Sequence, residues 1–334
     1  MIIMKKLLGF ILLLTITISL CSCTPQEAHD SLEAMDTFMD FSIYGGTSEW
    51  AMKGVKNEIL ELDKALSTTD TGDIGLLNKY GEHRISDVAR EPLTRSLELC
   101  GELDGALDIT VYPLVEEWGF ISGDYKVPSK SRINELLKYV DYNKVKVDEQ
   151  GATLPKGTKV DLGAVAKGYA ADKCRERLKE EGAKAAILNL GGTILTYGAK
   201  PDGGMWKVGI TDPDDSSAYF GYLNCRDTVV ATSGGYERSF KGEDGKTYIH
   251  IIDPKTGYPV DNGVKSVSVI SEDGIRADAL STALYVMGVD KAVEYSKSHE
   301  GFDVIILSDD NKLYISSAIA DSFNLKNDYE IIKI

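Results

Sequence analysis

The sequence predicts an α+β fold. Segments with strand character dominate the second half of the chain, a few helical segments accompany them, and no steady strand–helix–strand alternation is visible. No G-x-G-x-x-G or G-x-x-x-x-G-K-[ST] motif occurs, so we expect neither a dinucleotide-binding Rossmann fold nor a P-loop. With 334 residues, 43% of them hydrophobic, the chain can bury a large core in one large domain or two closely packed ones.

The N-terminus has the pattern of an export signal. Lys5 and Lys6 precede an apolar run, Leu7–Leu20, which is short for a membrane span. The ending Leu-Cys-Ser-Cys resembles a bacterial lipobox, in which Cys23 becomes the lipidated N-terminus. An ordinary signal peptide or an uncleaved anchor is the alternative. The prediction is therefore an extracytoplasmic protein, lipid-anchored to the bacterial cell membrane.

Domain boundaries follow from this pattern. Residues 1–22 are predicted to be the signal peptide with its lipobox, and residues 23–34, which are mostly polar, a lipid-anchored tether. Residues 35–334 are predicted to be the folded catalytic region. Without Lys5 and Lys6, 35 basic side chains face 52 acidic ones, and the net charge changes from −15 to −17. Such an acidic protein is a poor partner for nucleic acid, and a phosphate site in it needs a local cation or metal.

Three cysteines remain beyond the signal segment, namely Cys100, Cys174 and Cys225. An odd number cannot all pair internally, and no C-x-x-C spacing suggests zinc or an iron–sulfur cluster. We expect buried free thiols.

The first half of the chain combines two strand segments with helices. We expect a strand over Met35–Tyr44, helices over Trp50–Leu66, Thr94–Leu103 and Ser131–Tyr139, and a hairpin formed by Val145–Val147 and Ala152–Leu154.

Residues 160–172, V-D-L-G-A-V-A-K-G-Y-A-A-D, predict a strand end, a turn at Gly163 and a helix over Ala164–Glu180. A turn at a helix start exposes backbone N–H groups, and the helix dipole favours an anion such as a phosphate there. Asp161 and Lys167 add a carboxylate and a cation. A plain helix–sheet packing unit with a tight turn is the alternative.

The second half reads largely as strands. They are predicted over Ala185–Leu190, Trp206–Ile210, Gly221–Leu223, Thr228–Ala231, Tyr248–Ile252, Val264–Ile270, Val304–Leu307 and Lys312–Ser316, with helices over Arg276–Met287 and Lys291–Ser298.

Two further sites could carry chemistry. Asp278 and Thr282 lie four residues apart on a predicted helix, and their oxygens suit a hard cation such as Mg²⁺. A solvated or capping pair is the alternative. His250, beside Asp253 at the end of a strand, could take a proton from a hydroxyl nucleophile near neutral pH. The alternative is a packed histidine bonded to a turn. Ser233 is not expected to be an acyl nucleophile, because no G-x-S-x-G surrounds it.

A series of motifs resembles the ApbE family, the FAD:protein FMN transferases. In family order over residues 35–288 they are M-D-T, L-D-K-A-L-S-T, G-A-L-D-I-T-V-Y-P-L-V-E-E-W-G-F, V-D-L-G-A-V-A-K-G-Y-A-A-D, N-L-G-G, A-T-S-G-G-Y, H-I-I-D-P-K-T-G-Y-P and A-D-A-L-S-T-A-L-Y-V-M-G. The resemblance implies an ApbE-like, T-fold-related arrangement of mixed sheets with packed helices.

The resemblance also implies a Mg²⁺-dependent enzyme that cleaves the FAD pyrophosphate. It would attach FMN through a phosphoester to a Thr or Ser of an extracytoplasmic or membrane redox protein and release AMP. His250 would be the catalytic base, and Asp278, Thr282 and the backbone carbonyl of Ala164 would hold the metal. The residues implied to line the FAD site are Met35, Thr69, Ala106, Leu107, Asp108, Asp161, Lys167 and Ile252.

One position departs from the family pattern. Thr69 stands where many members have a tyrosine that stacks on the flavin, so stacking would come from elsewhere, such as Tyr125, or be weaker. Some relatives altered there resemble FAD hydrolases more than transferases. A Mg²⁺-dependent FAD pyrophosphatase and a non-catalytic flavin-binding lipoprotein are therefore the alternatives.

Overall fold

The structure is a computed structural model that describes residues 26–69 and 71–334. Its helices are α1 (Ser48–Leu66), α2 (Asp73–Tyr80), α3 (Asp87–Glu102), α4 (Tyr112–Glu117), α5 (Lys130–Leu136), α6 (Ala166–Glu180), α7 (Gly274–Met287), α8 (Val289–Ser298) and α9 (Ser317–Ala320). Its strands are β1 (Glu27–Ala34), β2 (Thr37–Tyr44), β3 (Glu82–His83), β4 (Lys146–Val147), β5 (Ala152–Thr153), β6 (Ala185–Asn189), β7 (Thr193–Tyr197), β8 (Trp206–Asp212), β9 (Asp215–Cys225), β10 (Val229–Gly234), β11 (Ser239–Lys241), β12 (Thr247–Ile249), β13 (Val264–Ser271), β14 (Asp303–Ser308), β15 (Lys312–Ile315), β16 (Phe323–Leu325) and β17 (Glu330–Lys333).

A nine-stranded sheet organises the molecule, in the order β1-β2-β6-β7-β10-β13-β14-β15-β17. All its neighbouring strands are antiparallel except β15 and β17, which are parallel. Helices α1, α6 and α7 pack on one face, and the smaller sheet β16-β9-β8 covers part of the other. The predicted α+β class is confirmed.

The central strands are apolar on both sides because both faces of the sheet are covered. In β14, Val304 and Ile306 join the core under the helices, while Ile305 and Leu307 join the core under the small sheet. Side chains alternate between the faces of a strand, so a strand between two cores reads as a continuous apolar run. This is the pattern that predicted the strand at Val304–Leu307.

The tether predicted for residues 23–34 is wrong over Glu27–Ala34, which is the edge strand β1. It pairs with all eight residues of β2, from Glu27 with Tyr44 to Ala34 with Thr37. The sequence looked like a tether because only Ala28 and Ala34 are buried, whereas the other side chains of this edge strand are partly or fully exposed. Edge strands carry such polar residues without losing their backbone pairing.

Other boundaries differ from the predictions. The predicted strand ending at Val160 and Leu162 is wrong, because residues 158–162 form neither strand nor helix. This segment is joined to the rest of the chain by a hydrogen bond from Asp161 N–H to the Ile109 carbonyl over 2.9 Å. Helix α3 begins at Asp87, seven residues before the predicted Thr94, because Ser86 caps it and Pro92 is tolerated inside it. Strand β7, which follows the N-L-G-G turn, was not predicted.

Helices α6 and α7 touch at two glycines. A Cβ added at Gly168 would lie 2.1 Å from the Gly274 carbonyl oxygen and 2.7 Å from the Asp278 Cβ. A Cβ at Gly274 would lie 2.4 Å from the Gly168 carbonyl oxygen. Only glycine permits this approach, which sets the distance between the two helices that carry the predicted metal ligands.

Cys100, Cys174 and Cys225 are buried free thiols, as expected. Burial raises the pKa of Cys100 and of Cys225 to about 12, so both remain protonated at neutral pH. The signal peptide and Cys23 lie outside the described residues. Within residues 26–69 and 71–334, no helix is long and apolar enough to cross a membrane.

Candidate active site

The structure brings ten of the predicted site residues to one cavity. They come from the segment before α4, the start of α6, the segment after β12 and helix α7. These residues are Ala106, Leu107, Asp108, Asp161, Ala164, Lys167, His250, Ile252, Asp278 and Thr282.

The carboxylate of Asp278 is buried in this cavity. Its Oδ2 accepts the backbone N–H of Gly168 over 2.8 Å, and its Oδ1 accepts the Thr193 hydroxyl over 3.4 Å. Loss of hydration raises the pKa of Asp278, and the nearby Lys167 opposes that rise. A buried carboxylate with this environment gains from a bound cation.

The backbone carbonyl of Ala164 is left free by the same contact. In a regular helix the Gly168 N–H would donate to the carbonyl four residues earlier. Here it donates to Asp278 instead, and within the described chain no backbone N–H donates to Ala164. A buried or half-buried carbonyl without a partner is uncommon in proteins. Its free oxygen is therefore available as a ligand.

The hydroxyl of Thr282 completes a set of oxygen donors. Thr282 Oγ1 lies 3.2 Å from Ser233 Oγ, which also lies 2.8 Å from Ser281 Oγ. One carboxylate, one hydroxyl and one carbonyl suit Mg²⁺, which keeps further positions for water and phosphate oxygens. Within the described residues no group of three or more His, Cys, Asp and Glu side chains is placed so that it could hold a metal ion. The donor set fits a hard cation rather than zinc.

His250 is held by the backbone of Arg238. Its ring Nδ1 lies 3.3 Å from the Arg238 carbonyl oxygen, and its backbone N–H donates to the same oxygen over 3.0 Å. A carbonyl only accepts, so Nδ1 carries the proton and Nε2 has the lone pair. Burial, followed by the positive charge of Arg238, lowers the pKa of His250 to about 4. The ring is thus neutral at physiological pH and can accept a proton.

Asp253, which lies three residues after His250 in the sequence, accepts hydrogen bonds within a turn instead. Its carboxylate accepts the Lys255 N–H over 2.8 Å and the Thr256 hydroxyl over 3.0 Å. The His250 ring is therefore oriented by a carbonyl rather than by this carboxylate.

The two other predicted acids have different surroundings. Asp108 is buried and uses both oxygens internally, accepting from Thr110 N–H over 2.8 Å and from Tyr142 N–H over 3.3 Å. Asp161 is half-buried, and its Oδ1 accepts the Gly163 N–H over 3.0 Å. Desolvation raises the pKa of both carboxyl groups. Asp161 keeps an oxygen for a ligand, whereas Asp108 shapes the cavity wall.

Met35 and Thr69 do not line the cavity. Met35 lies in the two-residue turn between β1 and β2, and its N–H donates to Asp63 Oδ1 over 2.8 Å. The hydroxyl of Thr69 lies 2.9 Å from that of Ser67 and 3.3 Å from that of Thr71. Their contact with FAD stays a prediction.

Tyr125, the alternative source of flavin stacking, does not line the cavity either. Its ring stacks on Phe240, with centroids 5.0 Å apart and an angle of 10° between the planes. Phe120, whose ring meets the His250 ring edge-on at 6.5 Å, does line it. One face of Tyr125 is thus occupied, and Phe120 is the better-placed aromatic residue.

Sequence reasoning missed Glu237 and Arg238, which line the cavity from the loop after β10. They follow A-T-S-G-G-Y directly, but a charged pair in a loop has no periodicity that would reveal it. The one available signal is their position between that motif and His250.

Comparison with known proteins finds relatives over most of the chain. The ApbE family model matches residues 35–306. The FAD:protein FMN transferase of Haemophilus influenzae is 30% identical over 340 residues, covering 95% of this chain and 97% of that protein. The enzyme of the same name from Klebsiella pneumoniae is 35% identical over 234 residues, covering 69% of this chain and 72% of that protein.

Solved structures show the same fold. The ApbE protein of Thermotoga maritima superimposes with a TM-score of 0.81 at 30% identity, covering 88% of this chain and 98% of that one. The flavin transferase ApbE of Vibrio cholerae gives a TM-score of 0.78 at 26% identity over the same shares. The matched family model, the relatives and the shared fold together show that this chain belongs to the ApbE family.

Proposed function

We propose that this protein is a Mg²⁺-dependent FAD:protein FMN transferase. The observation that carries the proposal is the meeting of a carboxylate, a hydroxyl and a free backbone carbonyl with a neutral histidine in one cavity. The names of the relatives support the same activity. FAD is the substrate, and the acceptor is a Thr or Ser hydroxyl of a redox protein.

The chain would hold the metal through Asp278, Thr282 and the Ala164 carbonyl. When bound, Mg²⁺ neutralises charge on the pyrophosphate oxygens and withdraws electrons from phosphorus. Lys167, for which no ion pair within 4.0 Å is found in the described chain, adds a second positive charge to the cavity.

His250 would act as the general base. Its Nε2 takes the proton of the acceptor hydroxyl while the oxygen attacks the FMN phosphorus. The new O–P bond forms as the P–O bond of the pyrophosphate breaks, and AMP leaves with that electron pair. Asp161 and Ile252 would position FAD, together with Ala106, Leu107, Asp108, Met35 and Thr69.

The direct test is incubation of the protein with FAD, Mg²⁺ and a Thr-containing acceptor. A covalently fluorescent acceptor, with an added mass equal to FMN, supports transfer. Release of free FMN and AMP without labelling would instead identify an FAD pyrophosphatase, which the position of Thr69 makes the specific alternative. FAD that stays bound and intact with Mg²⁺ would identify a non-catalytic flavin-binding lipoprotein.

We further propose that Cys23 is lipidated and that the enzyme works outside the cytoplasm at the cell membrane. Lys5, Lys6, the apolar run and the Leu-Cys-Ser-Cys ending support this. Labelling cells with palmitate should mark the wild-type protein and not the Cys23→Ser variant. Equal labelling of both would refute anchoring at Cys23.

A further inference from the structure

Arg238 is the cationic cavity residue that has no role in the scheme above. Its side chain is 44% exposed, and its one ion pair in the described chain is with Asp36 at 4.0 Å. Asp36 is itself 88% exposed, and such a long surface pair contributes little. No hydrogen bond from the Arg238 guanidinium is found within residues 26–69 and 71–334.

Two other arginines, Arg132 and Arg177, are each paired with two carboxylates. Arg132 contacts Glu117 at 3.0 Å and Glu135 at 2.9 Å, and Arg177 contacts Glu58 at 3.0 Å and Glu180 at 2.9 Å. The donors of Arg238 are thus uncommitted although the residue faces a cavity. A guanidinium presents donors in a planar fork that matches phosphate oxygens.

The backbone of Arg238 is bonded to the proposed base. Its carbonyl accepts the backbone N–H of His250 over 3.0 Å and lies 3.3 Å from the ring Nδ1, and both residues line the cavity. In an in-line displacement the base lies beside the attacking oxygen and therefore beside the phosphorus under attack. A cation from the residue bonded to the base would therefore lie on the side of that phosphoryl group rather than of the leaving one.

We infer that the Arg238 guanidinium is a catalytic residue that binds the non-bridging oxygens of the transferred FMN phosphate. This inference rests on the proposed function. The FMN phosphate would replace Asp36 as the anionic partner, and the fork would stabilise the charge that spreads over the phosphate oxygens as the P–O bond breaks. Lys167 lies on α6, and the proposed metal ligands lie on α7 and just before α6. Arg238 would add a cation from a separate segment, the loop after β10.

The test compares the wild-type protein with Arg238→Gln, using FAD, FMN, AMP and riboflavin as probes in titration calorimetry. We expect Arg238→Gln to weaken binding of FAD and FMN by about tenfold or more, since a charge-assisted bond is lost. Affinity for AMP and for riboflavin, which lacks phosphate, should stay within about twofold. Arg238→Lys, which keeps the charge without the fork, should give an intermediate loss.

Two controls separate anion binding from a structural role. Arg226→Gln removes an exposed guanidinium that pairs with Asp227 at 3.3 Å outside the cavity, and should change no affinity. Asp36→Asn removes the one ion-pair partner that Arg238 has among the described residues and should leave FMN affinity equal or higher. If Asp36→Asn instead reproduces Arg238→Gln, the role is structural and the inference is wrong.

The remaining outcomes are also decisive. Unchanged FMN affinity in Arg238→Gln would overturn the inference while leaving the proposed function intact. A selective loss of AMP affinity would overturn it as well, by assigning Arg238 to the leaving phosphate. Failure of the wild-type protein to bind FAD or FMN would overturn the proposed function itself.

Discussion

The backbone N–H of Gly168 donates to Oδ2 of Asp278 over 2.8 Å, across the contact between α6 and α7. This one hydrogen bond orients the carboxylate and also frees the Ala164 carbonyl, which lies one helical turn before Gly168. Two of the three candidate metal ligands thus depend on how closely the two helices approach.

Gly168→Ala should damage both packing and metal binding. The added Cβ would lie 2.1 Å from the Gly274 carbonyl oxygen, so the helices must separate. We expect a loss of about 1–3 kcal/mol in the free energy of unfolding, the range for overpacked sites, measured by urea denaturation. Gly46→Ala is the matched control, because an added Cβ there meets nothing within 4 Å. Equal stability of the two variants would contradict the tight helix contact.

Asp278→Asn should separate the charge of this residue from its hydrogen bonds. Burial raises the pKa of Asp278, so the folded state loses stability as pH rises from the ordinary aspartate pKa to this raised value, and the loss is complete above it. At pH 7 without metal, the Asn variant should therefore melt at least as high as the wild type. Below the ordinary pKa of an aspartate, this advantage should disappear.

Mg²⁺ should reverse the order of melting temperatures of the wild type and Asp278→Asn. It should raise the melting temperature of the wild type and not that of Asp278→Asn, because only the folded wild type holds the ion. Asp321→Asn, which removes an exposed acid 91% accessible to solvent, controls for general screening of the acidic surface. A full Mg²⁺ response in Asp278→Asn would place the metal elsewhere.

His250→Gln should remove catalysis and spare binding. Loss of a general base costs typically 10²–10⁴-fold, so we expect AMP release to fall by about that factor. FAD affinity should change little, since the ring acts on the acceptor proton. His299→Gln serves as control, because that ring stacks on Tyr295 at 3.8 Å and does not line the cavity. Normal turnover in His250→Gln would exclude it as the base.

The low pKa of His250 can be measured directly. In protein labelled with ¹³C-histidine, the resonance missing from His250→Gln identifies the ring. It should titrate near pH 4, because burial and then Arg238 disfavour the charged form, and stay neutral from pH 5.5 upward. In Arg238→Gln the midpoint should rise, since one positive charge is gone. A wild-type midpoint near 6.5, the ordinary value, would contradict this environment.

The residues Met35 and Asp36 should make the turn between β1 and β2 less stable than the preferred Asn-Gly sequence would. Met35 and Asp36 both have positive φ angles, of 50° and 57°, in a two-residue hairpin turn that favours Asn-Gly. Replacing the pair by Asn-Gly should raise the free energy of unfolding by about 1 kcal/mol. If Met35 contacts the flavin, FAD affinity should fall at the same time.

Asn311→Gly is the matched control for the turn. Asn311 also has a positive φ, of 63°, in the turn between β14 and β15, and it does not line the cavity. The Asn311→Gly variant should be more stable than the wild type and should bind FAD with unchanged affinity. An Asn-Gly variant that keeps full FAD affinity would remove Met35 from the binding site.

Much of the fold could be predicted because local patterns coincide with burial. Helix α1 was placed within two residues of its start, since Val55, Ile59 and Leu62 repeat at helical spacing and are all buried. Strand β1 was missed because an edge strand needs few apolar residues. Helix α1 could be predicted and strand β1 could not, because only in α1 do the buried residues form a periodic apolar pattern in the sequence.

Prediction of the site from the sequence has the same limit. Asp278 and His250 were found because carboxylates, hydroxyls and histidines in motifs signal chemistry. The free Ala164 carbonyl depends on Gly168, and the role of Arg238 depends on its carbonyl at His250; both arise only when distant segments pack together. Helix–helix and loop–strand geometry of this kind has no single-residue signature.

The pairing of β1 with β2 limits how far the enzyme could stand from a membrane. The strand begins at Glu27, and four residue steps separate it from Cys23. A fully extended chain of that length spans at most about 14 Å. With Cys23 lipidated, the edge of the large sheet would lie against the bilayer surface, and acceptors would have to present their hydroxyl within a shallow layer above the lipid headgroups. Inserting a flexible linker after Thr24 would widen that layer and should broaden the range of acceptors labelled on intact cells.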